Sequence, residues 1–116
     1  MTPDRSTGDA LVGVLAAVAN PVRLRVLGTL AEGRDYVSHL ARRIGVSRPM
    51  LHMHLQRLEA AGLVVGHLEL SDDGKAMKYF ELVDVDIHLT PAVLAAAART
   101  VTAPDPAKGP VPKEQS

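Results

Sequence analysis

The chain has 116 residues, and its 13 lysines and arginines balance 13 acidic residues. That length corresponds to one domain, at roughly 100–150 residues each, and a 47% apolar composition can bury one modest core. The absence of cysteine excludes disulfides, thiolate metal sites and a cysteine nucleophile, and one Phe, two Tyr and no Trp make a base-stacking platform for single strands a poor fit. No apolar run approaches the roughly 18 residues of a membrane span. The opening MTPDRSTGDA lacks the basic-then-apolar order of a secretory signal, so a cytoplasmic address and no membrane partner are expected.

The neutral total hides a division. Between Asn20 and Arg57 there are seven arginines against Glu32 and Asp35. Between Leu58 and Thr90, Lys75 and Lys78 face seven acidic residues. A local basic face, rather than the net charge, is what a polyanion reads.

In chain order, residues 1–9 are polar and are expected to be mobile. Leu11, Val14, Leu15 and Val18 then follow the i, i+3, i+4, i+7 stripe of an amphipathic helix. Asn20-Pro21 restarts the pattern with an N-cap and a proline at the first helical position. The second helix carries Val22, Val26, Leu27 and Leu30, with Gly33 as a left-handed cap. A third helix is predicted from Asp35 or Tyr36 to Ile44, with Gly45 ending it. Only Gly45-Val46 separates it from Ser47, which caps a fourth helix over residues 48–61. Two helices joined by so short a glycine turn are a helix-turn-helix signature.

After Gly62 the period changes. Residues 63–70 and 75–82 read as strands around Ser71-Asp72-Asp73-Gly74, a hairpin directly after the helix-turn-helix, which is a wing. An alanine-rich helix is predicted over residues 91–101, offering Val93, Leu94, Ala97 and Val101 for packing. The tail, residues 103–116, is proline-rich and is expected to be disordered. Residues 10–102 are thus the predicted domain. The expected fold class is mainly α with a β-hairpin wing, a winged helix-turn-helix of about five helices.

These residues carry a resemblance. Ala19-Asn20-Pro21-Val22-Arg23-Leu24-Arg25-Val26-Leu27, then His39-Leu40-Ala41 with Ile44-Gly45-Val46-Ser47, then His54-Leu55 with Leu58-Glu59-Ala60-Ala61-Gly62-Leu63-Val64, resemble the ArsR/SmtB-type winged-helix regulators. Each motif alone is weak; their order and spacing, over roughly residues 10–101, are more specific. The resemblance implies a homodimer whose first and last helices form the interface. Leu11, Val14, Leu15, Val18, Val93, Leu94, Ala97 and Val101 are the residues expected there. It also implies double-stranded operator DNA as ligand, and often a metal or other small inducer.

The fourth helix agrees on its own terms. At 100° per residue, Leu51, Leu55 and Leu58 define an inward face, leaving Pro49, His52, Met53 and Gln56 outward, with Arg48, Met50 and Arg57 on the flanks. Arg48, His52 and Gln56 can offer donors to base edges, and Met50 and Met53 can meet thymine methyls. Arg42, Arg43, His54, Lys75 and Lys78 are expected on phosphates, and Ser47 and Arg57 complete the expected DNA-contacting set. Met50 and His52 stand where the family often has small hydroxyl residues, which bears on the operator sequence.

For metals, the positions matching the family's Cys-x-Cys sensor are Tyr36 and Ser38, which excludes that thiolate site. Asp86-Ile87-His88 matches half of a last-helix site, but Arg99 and Thr102 stand where its second half belongs. An imidazole and carboxylate set around Asp86 and His88 suits nickel, cobalt or zinc rather than soft metals, and family members with such ligands make nickel the first choice. Glycine-rich phosphate loops, HExxH and GxSxG are absent, so no enzyme is expected. The alternative is a winged-helix co-regulator that works through a protein partner and binds DNA weakly, a reading the zero net charge favours.

Overall fold

The computed structural model describes residues 7–84 and 86–102. Five helices and a three-stranded sheet follow in the order α1 (Gly8–Val18), α2 (Pro21–Leu30), β1 (Asp35–Tyr36), α3 (Val37–Ile44), α4 (Arg48–Ala60), β2 (Val64–Leu70), β3 (Ala76–Leu82) and α5 (Pro91–Ala98). The expected mobile start (residues 1–9) and disordered tail (residues 103–116) fall outside the described residues, except for Thr7, Gly8 and Asp9. Helix α1 begins two residues before the expected domain boundary because the Thr7 side chain accepts from the Ala10 amide and caps it.

Caps fix the other starts. Asn20 Oδ1 accepts from the amides of Val22 and Arg23 at 2.9 and 3.1 Å, ahead of Pro21. Ser47 Oγ accepts from Met50 at 3.2 Å, and Thr90 Oγ1 accepts from Val93 at 3.2 Å. Between α3 and α4, Gly45 turns the chain at φ +85°, a left-handed conformation that costs glycine nothing. Its amide and that of Val46 both donate to Ala41 O, so the helix-turn-helix turn is closed from within.

Of the other boundaries that differ from the sequence-based expectation, two are set by tertiary contacts. The third helix starts at Val37, because Asp35 and Tyr36 pair with Phe80 and Tyr79 and add a third strand to the hairpin. The sheet order is β1-β3-β2, with β2 and β3 in register from Val64↔Leu82 to Leu70↔Ala76. The last helix stops at Ala98 rather than Val101, because Thr100 turns back. Its hydroxyl donates to Ala97 O and accepts from the Gly8 amide at 2.6 Å.

The core lies where all four of the first helices meet the base of the sheet. Val26, Leu40, Leu51, Leu55, Leu58 and Phe80 are each essentially sealed from solvent. Each such side chain contributes about 1.5–3 kcal/mol of burial. This core fixes α4 against α3 and places the hairpin beside the start of α4. No single helix among the described residues is long and apolar enough to cross a membrane.

Candidate nucleic-acid interface

Helix α4 buries one side and offers the other. Leu51, His54, Leu55 and Leu58 face the core. Arg48, Pro49, Met50, His52, Met53, Gln56 and Arg57 are exposed, Met50 and Met53 by 47% and 45%. The exposed side of α4 thus carries apolar, cationic and imidazole groups side by side.

At the start of α4 that surface folds into a cleft of about 290 Å³ against the hairpin. Arg48 and His52 line it from α4, Tyr36 and Ser38 from the start of α3, and Lys78 and Met77 from β3. Two cationic residues and two hydroxyl-bearing ones thus converge where α4 meets the hairpin. Lys75 is exposed at the end of the hairpin turn, which Ser71 closes by backbone bonds to Lys75 and Gly74. Arg42 is also exposed. Ser47 serves as the α4 cap while remaining exposed.

Three expected contact residues lie elsewhere. His54 is only 6% exposed, so it is a core residue and cannot reach a phosphate. The position follows from the helical period, which carries His54 about 60° from the Leu51–Leu55–Leu58 stripe, still on the inward side. Arg23 Nη1 lies 3.1 Å from its Nδ1. Burial, and then the charges of Arg23 and Arg57, hold its pKa below the usual 6.5. Arg43 is spent inside the chain: it pairs with Glu32 at 2.9 Å and Asp35 at 3.5 Å. Asp35 is buried and its carboxylate also accepts from the Tyr36 amide and from His39 Nδ1, so Arg43 satisfies a buried acid. Arg57 sits at the far end of α4, in a separate hollow beside α1.

Sequence reasoning missed the aromatic brace under the wing. Tyr79 stacks on His67 at 5.0 Å, meets Tyr36 edge-on at 5.8 Å, and carries the Arg34 guanidinium 4.4 Å above its ring. The Tyr36 hydroxyl donates to Glu69 at 2.7 Å, a bond that also pushes the phenol pKa up. The pairing of Tyr36 with Tyr79 across β1 and β3 was hidden because a two-residue strand has no readable period.

The expected interface residues divide. Leu11, Val14 and Ala97 are spent within the chain at 6%, 3% and 4% exposure, and Val18 packs against the core, so none of these faces outward as expected. Val14 and Val18 are taken up by the main core, while the packing of α5 on α1 accompanies the burial of Leu11 and Ala97. Leu15 is half-buried. Val93, Leu94 and Val101 remain open, together with Val12, which the stripe reading did not include.

Asp86 and His88 lie 2.9 Å apart and are largely exposed. Among the described residues no third histidine, cysteine or carboxylate joins them. A pair of donors does not fill the coordination that zinc or nickel needs, so the described residues of one chain do not make a site for either metal.

Comparison with known proteins places this geometry. Residues 18–67 match a helix-turn-helix domain family. The transcriptional repressor SmtB of Mycobacterium tuberculosis is 34% identical over 96 residues, which are 83% of this chain and 66% of SmtB. The chain therefore spans about two thirds of the length of that relative. The transcriptional regulator CmtR of Mycobacterium bovis is 36% identical over 83 residues, 66% of this chain and 70% of CmtR. Among solved structures, the homodimeric winged helix-turn-helix DNA-binding domain of a possible ArsR-family regulator from Mycobacterium bovis aligns over 64% of each chain, with TM-score 0.54 and 28% identity. With its cleft between recognition helix and wing, and with relatives that are transcriptional regulators, the chain belongs to the ArsR/SmtB family of winged helix-turn-helix regulators.

Proposed function

We propose that the protein is a homodimeric transcriptional regulator that binds a specific double-stranded operator. The observation that carries this reading is the exposed half of α4, where Arg48, His52 and Gln56 stand clear of the core beside the wing. An exposed helix of this length enters the major groove, and Arg and Gln match guanine and adenine edges in bidentate geometry. Arg42, Lys75 and Lys78 flank it and supply phosphate contacts. The open apolar side chains Val12, Val93, Leu94 and Val101 supply the two-fold interface. That interface sets the two α4 helices about 34 Å apart, one turn of DNA. The homodimeric neighbour supports this arrangement.

The test is binding of the purified chain to the intergenic DNA upstream of its own gene, against random DNA, at two salt concentrations. Tight binding to the upstream DNA that falls steeply with salt is expected, because each phosphate contact releases counterions. Weak, sequence-indifferent binding overturns the operator reading and favours a co-regulator acting through a protein partner. Nickel and zinc belong in the same titration: a shift with either requires donors beyond Asp86 and His88, which no third ligand joins among the described residues.

A further inference from the structure

A second concavity, of about 340 Å³, lies between α1 and the C-terminal end of α4. Gly13 and Ala16 line it from α1, Ala60 and Ala61 from the end of α4, and Arg23 and Arg57 close its polar side. No acidic residue lines it, and no residue of α5 does. We propose that this hollow binds a small organic acid, its oxyanion held between the guanidinium groups of Arg23 and Arg57 and its short apolar body lying on the alanine methyls.

The charge argument starts from what these arginines lack. Arg43 is neutralised by Glu32 and Asp35. Arg23 and Arg57 make no ion pair with a carboxylate among the described residues. Arg23 is held in place by neutral partners: Nε donates to Ala17 O at 2.6 Å and Nη1 to His54 at 3.1 Å, while Nη2 keeps only a long 3.4 Å contact to Ala16 O. A guanidinium fixed by its inner donors, with its outer nitrogen poorly used, is already organised for an oxyanion. Because Arg23 spends two donors on α1 carbonyls, the second cation, Arg57, is needed to hold a full negative charge.

The shape argument concerns the remaining walls. Alanine methyls and Gly13 give an apolar floor with room over it; even a methyl group added at Gly13 would meet nothing within 4 Å. Small ligands bind in concave, mostly apolar sites that carry a few convergent polar groups.

The position gives the site a consequence, and this part rests on the DNA-binding reading above. Arg23 bonds on one side to the last-turn carbonyls of α1 and on the other to His54 of α4. An acid that draws Arg23 outward therefore acts at the joint between the helix that carries open apolar surface and the helix that reads DNA. Differential binding to two arrangements of that joint is what coupling requires.

The probe is benzoate, with neutral benzamide as its isostere, titrated at constant ionic strength into the full-length ¹⁵N-labelled chain. Saturable amide shifts at Gly13, Ala16, Ala60 and Ala61 are expected with benzoate and not with benzamide. Arg57→Gln should weaken benzoate about tenfold or more, the loss of one charged hydrogen-bonding partner, without lowering the melting temperature. Equal shifts with both probes, or an Arg57→Gln variant that binds benzoate like the wild type, overturn the proposal. Ala60→Leu, which fills the hollow from an exposed position, provides a second route and should abolish the shifts. In the DNA assay benzoate should change upstream-DNA affinity at least threefold in the wild type and leave Arg57→Gln unaffected. Benzoate shifts in a chain that binds no DNA uphold the pocket and sink the operator reading. Operator binding with no benzoate shifts does the reverse.

Discussion

Arg23 Nη1 donates to Nδ1 of His54 across 3.1 Å, so the buried imidazole is an acceptor at that nitrogen and neutral, with its proton on Nε2. A histidine whose folded pKa is pushed below 6.5 binds fewer protons when folded than when unfolded. Stability is then full above pH 6.5 and falls as the pH drops below it, levelling off under the folded value. Melting curves from pH 7.5 to 5 should show this decline, and His54→Gln should flatten it. An equally steep decline in the variant would place the sensitive group elsewhere.

Arg48→Ala should cost about 1–3 kcal/mol on the cognate operator and little on random DNA, since a base contact discriminates and a phosphate contact does not. Competition binding with both DNAs reads this directly. Arg43→Ala, by contrast, should reduce thermal stability, because it strips a partner from buried Asp35.

Leu94 is 48% exposed on α5 and lies in the open apolar surface beside α1. Leu94→Glu should abolish the proposed dimer, as measured by light scattering coupled to gel filtration, and cost the two-site affinity for DNA. Retention of the dimer would move the interface off α5.

Gly8 packs so closely on α5 that a Cβ there would stand 2.1 Å from Ala97 O. Gly8→Ala must therefore push α5 away. A loss of about 1–3 kcal/mol is expected, the usual cost of overpacking, with the melting transition as the measurement.

The helices were legible in the sequence because their signals are local. Asn20-Pro21, Ser47 and Gly45 act through caps and turns within a few residues, and the structure uses each of them where the spacing puts it. The wing was legible through its turn and change of period. What escaped was decided over long separations. Tyr36 joins a sheet because β3, some 40 residues later, offers it Tyr79. Arg43 looks from its helix like a phosphate contact, and only the fold brings Glu32 and Asp35 to it. His54 stands near the margin of the leucine stripe, where a wheel cannot tell inside from outside until α2 arrives with Arg23. The stripe on α1 identified apolar positions correctly as apolar but could not assign them among the core of the same chain, α5 and a partner.

The contacts of Gly8 and Asp9 with Thr100 and Thr102 have a topological consequence. The Gly8 amide is held by Thr100, and the Asp9 carboxylate receives both the amide and the hydroxyl of Thr102. The first turn of α1 and the segment just after α5 are therefore tied together, away from the helix that offers Arg48 and His52. Joining residue 7 to residue 102 through a short linker and opening the chain instead at Asp72–Asp73 should yield a permuted protein with the same helices.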